Sequence, residues 1–120
     1  MRIESTLKPF QITASLQATG SSQSDAAAMP TDCCLITSGA GGGVILPNDA
    51  QTGEVFFIAN AVPYTGAPIV VYPPVGGNFV GAPANSPLSL NDGFIAYCII
   101  CFGPGVFLAA PFANIGGSGY

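Results

Sequence analysis

The chain of 120 residues contains no histidine and no tryptophan, and its only two cationic residues are Arg2 and Lys8. Most general acid–base sites use histidine, lysine or paired carboxylates, and many metal sites use histidine. Phosphate and nucleic-acid sites need arginine or lysine. We therefore expect no enzyme activity, no cofactor and no metal site, and instead a role in structure or binding.

Charged residues of either sign are scarce, at 7% of the sequence against about 25% in an ordinary globular domain. Apolar residues make up 49%, so the surface lacks the usual mixture of lysine and glutamate. Uncharged sheet edges and apolar patches favour association with other subunits. The net charge of −4 also argues against nucleic acid as a partner.

Two segments bear on export and membranes. The first 25 residues contain no apolar core of a secretory signal. Residues 94–115 are 22 positions without a charge, which is long enough for a membrane helix. Gly103, Pro104 and Gly105 interrupt this run, and its halves are rich in β-branched and aromatic residues. It therefore predicts two buried strands around a turn, and no membrane partner.

Sixteen glycines and eleven prolines leave few windows for an amphipathic helix. A short helical turn is predicted only at residues 24–29. Between residues 10 and 18, apolar and polar side chains alternate with the period of a half-buried strand. Further strands, separated by turn sequences about every ten residues, are predicted at 33–37, 44–46, 55–59, 68–72, 78–80, 88–90, 94–102 and 106–110.

This spacing predicts an all-β fold: a single compact β-sandwich, jelly roll or small barrel with very little helix. We expect one domain over residues 1–120, with an N-terminal arm at 1–10, a β core at 11–115 and a flexible tail at 116–120. Strands 55–58 and 69–72 are apolar on both faces. One face of each must be buried by a second layer or by a neighbouring subunit.

The four cysteines, Cys33, Cys34, Cys98 and Cys101, are interpreted as small buried hydrophobic side chains. Cys98 and Cys101 lie in a β-rich run that points them to opposite faces, whereas a zinc site places each cysteine pair on a tight turn. Adjacent Cys33 and Cys34 diverge in the same way. One disulfide between the two strands remains an alternative.

Other polar motifs are interpreted as structural. Asp49 lies in an Asn-Asp turn sequence, which favours turn formation over hydrolysis by Asp49 and Glu54 or a calcium site. The glycine-rich residues 39–43 lack the Lys-Ser/Thr of a phosphate-binding loop and precede a strand, so they are interpreted as a mobile connection. Tyr64 lies in a loop, where an aromatic ring can stack on a sugar.

A long pattern of turn and strand residues occupies the middle of the chain. It contains Gly-Val-Ile-Leu-Pro at 43–47, Gly53, Phe-Ile-Ala-Asn at 57–60, Val-Val-Tyr-Pro-Pro at 70–74, and Gly76, Gly77 and Gly81. With the lead-in at 18–26, it resembles small β proteins of tailed bacteriophages: capsid decoration (cement) proteins and related fibre domains. The resemblance covers residues 18–93, whereas the end from Cys98 to Ile115 does not match.

The resemblance implies a structural virion protein on the capsid outer surface, made in the host cytoplasm. Such a protein forms a homo-oligomer, with a trimer favoured over a dimer, and binds across neighbouring major capsid subunits to stabilise the shell. The alternatives are an oligomeric phage fibre module that binds a receptor or glycan, and a coat subunit of a gas-vesicle-like or pilus-type assembly.

Candidate contact residues come from the two chemically distinctive ends of the chain. The N-terminal arm carries both cations and can become ordered on docking, so the candidates for capsid contact are Arg2, Lys8 and Phe10. The late apolar segment supplies the candidates for oligomer contact, which are Phe102, Val106, Phe107, Leu108 and Phe112.

Overall fold

The computed structural model describes residues 14–30, 32–62, 66–90 and 95–114. This part of the chain is nearly all β, as the sequence predicts, with no helix of seven or more residues. A 3-10 turn at Gln23–Asp25 overlaps the predicted helical turn. The strands are β1 (Ala14–Gln17), β2 (Ala27–Ala28), β3 (Cys33–Ser38), β4 (Gly43–Ile45), β5 (Val55–Asn60), β6 (Ile69–Tyr72), β7 (Asn78–Phe79), β8 (Leu88–Leu90), β9 (Ile95–Gly103) and β10 (Val106–Asn114).

The strands form two sheets that share one core. Sheet A has the order β1-β3-β5-β9-β10-β7, and sheet B has the order β2-β4-β6-β8. The first six strands alternate between the sheets, and neighbours within each sheet run parallel. The chain therefore winds as a β-solenoid. The predicted sandwich, jelly roll or barrel is wrong in this respect, because the turn sequences carry the chain across to the other sheet instead of folding it back as hairpins.

The solenoid has three coils, formed by β1–β2, β3–β4 and β5–β6, and it ends in an antiparallel cap, formed by β7–β10, where the strand direction reverses. Strand β8 pairs antiparallel with β6 in sheet B, while β9 pairs antiparallel with both β5 and β10 in sheet A. Strand β7 then runs parallel to the start of β10. The uncharged run at 94–115 thus contains two strands around a turn, as predicted. Among the described residues, no helix is long and apolar enough to cross a membrane.

The core lies between the sheets and is built from every second side chain. Ile36, Ile58 and Ile99 come from three strands of sheet A and are fully buried, as are Val44 and Val71 from sheet B. All five belong to one continuous apolar cluster. This alternation leaves a second face of sheet A directed away from the core.

An aromatic cluster packs β7 and β10 of the cap against β5 of the last coil. The Phe107 ring of β10 lies 6.5 Å from the Phe56 ring of β5 and 6.3 Å from the Phe79 ring of β7, measured between centroids. Both pairs are tilted, which is a favourable arrangement for aromatic rings. Phe107 is only 1% exposed, so it links three strands inside the core.

The glycine-rich segment at 39–43 is closely packed, which corrects its interpretation as a mobile connection. Gly43 and Thr19 exchange two backbone hydrogen bonds, of 2.9 and 3.1 Å. A β-carbon at Gly42 would lie 2.8 Å from the Ala18 backbone, and one at Gly39 would collide with the Ala18 carbonyl oxygen. The glycines are needed because two backbone segments of successive coils approach each other directly here.

A capped loop precedes β2. The Asp25 carboxylate oxygen Oδ1 accepts hydrogen bonds from the Ser22 amide at 2.9 Å, the Ser21 amide at 3.0 Å and the Ser22 hydroxyl at 3.0 Å. The hydrogen bonds from Ser22, followed by that from the Ser21 amide, hold the pKa of Asp25 below its usual value of 3.8. The charged carboxylate is therefore the form that closes the loop.

We expect this loop to open in acid. Because the pKa of Asp25 is lowered on folding, its contribution to stability is present above the unfolded pKa and is lost as the pH falls through the folded pKa. Hydrogen exchange of the Ser21 and Ser22 amides, followed from about pH 5 to about pH 2, should show a loss of protection. Asp25→Asn should show no such step. An unchanged step in that variant would contradict the assignment to Asp25.

Candidate functional site

The side of sheet A directed away from the core is apolar across four adjacent strands. Strand register places Leu35 beside Ala59, and Ala59 beside Ala96. In the same way, Ile100 lies between Val55 and Leu108. The outer face of sheet A, as we define it, comprises Cys33, Leu35, Val55, Phe57, Ala59, Ala96, Cys98, Ile100, Phe102, Leu108 and Ala110. The polar residues Ser15 and Thr37 lie at its margin, on β1 and at the end of β3.

None of these eleven positions carries a charged or hydrogen-bonding polar group other than the thiols of Cys33 and Cys98. Phe102 is 65% exposed and Leu108 is 42% exposed, whereas Val55, Ile100 and their neighbours are partly buried by the adjacent side chains. The structure thus bears out the prediction that strand 55–58 is apolar on both faces. Its inner face forms the core, and its outer face belongs to this surface.

Val80 extends the outer face of sheet A at one side. It directly follows β7, and its amide donates a hydrogen bond of 2.8 Å to the Phe107 carbonyl oxygen. Since Phe79 lies opposite Phe107, Val80 lies beside Leu108 in the next register position. Val80 is 52% exposed. Together with Phe102 and Leu108, it concentrates most of the exposed large hydrophobic side chains of the described residues on one side of the molecule.

The oligomer-contact candidates divide between the surface and the core. Phe102 and Leu108 lie on the outer face of sheet A, and Val106 is partly buried at the start of β10. Phe107, by contrast, packs inside the core and offers no side-chain surface to another subunit, which removes it from the candidates. This follows from strand parity, because neighbouring residues point to opposite faces. The side chain of Phe112 lies outside the described part of the structure.

Other predicted site residues also lie outside the described residues. They are the capsid-contact candidates Arg2, Lys8 and Phe10, and the loop residue Tyr64.

Sequence reasoning missed part of the apolar surface. Leu35, Val55, Val80 and Ile100 were not among the candidates, although the uninterrupted apolar runs of β5 and β9 signalled a second buried face. Which strands lie side by side depends on the order of the sheet, and this order is not visible in the individual runs.

The cysteines mostly fit the interpretation as small apolar residues. Cys34 and Cys101 belong to the core cluster, Cys33 is also buried, and Cys98 is partly exposed on the outer face of sheet A. Cys98 and Cys101 thus point to opposite faces, as predicted. Burial raises the pKa of the Cys98 thiol. Strand β5 separates β3 from β9, so cysteines of these two strands lie about 10 Å apart, beyond the reach of a disulfide.

Three carboxylates line one cavity beside the segments that precede β3 and β5. Asp32, Asp49 and Glu54 line a space of about 390 Å³ together with apolar side chains. Glu54 accepts a hydrogen bond of 2.9 Å from the Gln51 amide, which is a turn-closing contact. Within the described ranges, no three histidine, cysteine or acidic residues are arranged to hold a metal ion.

Comparison of the chain with known protein families, with curated proteins and with solved structures gave no match. The function is therefore argued from the residues of this chain.

Proposed function

We propose that this chain is a structural virion protein, a decoration or cement protein that binds across neighbouring major capsid subunits and stabilises the shell. The observation that carries the proposal is the uncharged outer face of sheet A, in a chain whose two cations both lie within the first eight residues. The two features have separate roles. The apolar face associates copies of the protein, and the arm binds the shell.

The proposed mechanism is burial of surface by a rigid body. Three parallel coils and an antiparallel cap tie the backbone of the described residues into two continuous sheets. A specific contact typically buries about 1,600 Å² of surface in total, and many symmetric copies on one particle multiply the effect of each contact. A clamp of this kind resists outward pressure because neighbouring shell subunits cannot separate without breaking it.

Removing the arm is the direct test of the contact with the shell. We expect deletion of residues 1–9 to weaken co-sedimentation with empty capsids at least about tenfold, since the deletion takes away both cations. The full-length double variant Arg2→Gln and Lys8→Gln separates the contribution of charge from that of length. Thermal unfolding of each variant should match the parent protein. Undiminished binding by the truncated protein would refute the role of the arm.

A further inference from the structure

The outer face of sheet A is a contiguous apolar surface on the side of the sheet that faces away from the core. Its two exposed large side chains, Phe102 and Leu108, come from the neighbouring strands β9 and β10. Exposed apolar side chains that occur singly are ordinary, but a contiguous set on one sheet face marks an interaction surface.

We propose that this face packs against the same face of a second copy of the chain, related by a two-fold axis. The inference rests on the proposed function, because it supplies the contact through which copies associate. A self-complementary pairing suits this chemistry: neither partner brings a charge, and almost no polar group has to be desolvated. Two twisted sheets pack in this way at a separation of about 10 Å.

The free edge of β10 is a poorer route to association than its face. Strand β7 covers only Val106 and Phe107, so the rest of this side of β10 has no partner strand among the described residues. Pro111 lies within that stretch and has no amide hydrogen to donate. Proline on an edge strand is a common guard against pairing with another chain. Association is therefore directed to the apolar face.

The area of the face sets the expected strength of the pairing. Four strands about 4.8 Å apart, each with outward side chains about 6.7 Å apart in three rows, cover roughly 400 Å². Two copies, with rim residues such as Phe102 and Val80, together bury roughly 1,000 Å², which is below the range of stable complexes and typical of weak, reversible ones. We therefore expect a reversible dimer with a dissociation constant of about micromolar order.

A two-fold pair also matches the geometry better than a ring of three. The face is one patch on one side of a sheet, and an isologous contact covers such a patch with its own copy. A three-fold ring with heterologous contacts needs two different complementary patches on each subunit.

The test is the mass of the full-length protein in solution across a concentration series, by sedimentation velocity or light scattering. We expect the mass to rise from 12.0 kDa towards twice that value. Leu108→Asp should raise the dissociation constant at least about tenfold, because it buries a charge in an apolar interface. Val75→Asp is the matched control: Val75 is 78% exposed but lies in the turn after β6, away from the face.

Cys98 gives a second measurement that does not depend on mass. Its thiol lies on the outer face of sheet A, between Phe57 and Ala110 in the register, so dimer formation should slow its alkylation. Peptide mapping should show faster modification of Cys98 in Leu108→Asp than in Val75→Asp at the same high concentration. Folding of both variants is checked by circular dichroism.

Three outcomes would overturn the pairing. They are a mass of 12.0 kDa at every concentration, a dimer that survives both Leu108→Asp and Phe102→Asp, and a mass of three subunits. Loss of the dimer in Leu108→Asp but not in Val75→Asp supports it. Capsid binding is measured separately with the arm deletion, so failure of the dimer and failure of the proposed function give different results.

Discussion

Replacement of Phe107 by alanine is expected to lower the free energy of unfolding by about 3–5 kcal/mol. The ring is only 1% exposed and touches Phe56 and Phe79, so its removal leaves a cavity at the junction of β5, β7 and β10. Because the antiparallel cap is fixed to the coils at this point, the surrounding strands cannot close the cavity completely. Urea unfolding at low protein concentration measures the loss.

Phe102→Ala is the matched control, since the same ring is removed from the neighbouring strand on the opposite face. Phe102 is 65% exposed, so the stability of the monomer should change by no more than about 0.5 kcal/mol. Self-association should weaken in this variant. If Phe102→Ala destabilised the monomer more than Phe107→Ala, the assignment of the two faces of the β9–β10 hairpin would be reversed.

Replacement of Gly39 by alanine is expected to cost about 4 kcal/mol or more, a large share of the usual stability of a domain. Gly39 has φ +101°, which an L side chain rarely adopts, and its added β-carbon would collide with the Ala18 carbonyl oxygen. The obstacle is backbone, so no side-chain rotation relieves it. Thermal unfolding should show a much lower melting temperature, or the protein should fail to fold.

Gly66→Ala separates the two causes. Gly66 has nearly the same φ, +98°, but nothing lies within 4 Å of the position of its β-carbon. Backbone strain alone should cost about 1–2 kcal/mol at this position. Equal losses at positions 39 and 66 would show that the expected clash with the Ala18 carbonyl oxygen adds nothing to the cost of backbone strain.

Local sequence signals located most strands well but not their partners. Strand β5 occupies Val55–Asn60 where the pattern predicts residues 55–59, and β8 is found at the predicted residues. Alternation and turn spacing are the same for a hairpin and for a solenoid coil, so they did not distinguish parallel from antiparallel neighbours. Contacts between distant residues decide this, and the solenoid was therefore not predicted.

The misplaced elements have physical reasons. Strand β2 consists of two alanines, which favour helix locally, and pairing with β4 overrides that preference. Strand β10 continues past Pro111, because proline is tolerated where the missing amide would face an open edge. The glycines at 39–43 looked like a mobile connection because their close neighbour, Ala18, is distant in sequence.

The sequence predicted some residues of the candidate surface but also included one that lies in the core. Apolar runs indicated that a second face had to be covered, and Phe102 and Leu108 were correctly placed on the surface. Phe107 was assigned to the surface because composition alone does not show which parity of a strand faces inward. Because Phe107 is buried, its neighbours Val106 and Leu108 point away from the core. This determines which residues of β10 lie on the outer face of sheet A.

The winding of the first six strands has a consequence for how such a protein can change over evolutionary time. Within the sheets, each coil pairs with the coils on either side of it, and the antiparallel cap pairs only with the last coil. Inserting or losing one whole coil would alter the height of the molecule by about 4.8 Å and leave the strand pairing of the cap unchanged. The length of the solenoid can therefore change in steps of one coil. Such a change leaves the strand pairing at both ends of the molecule as it is.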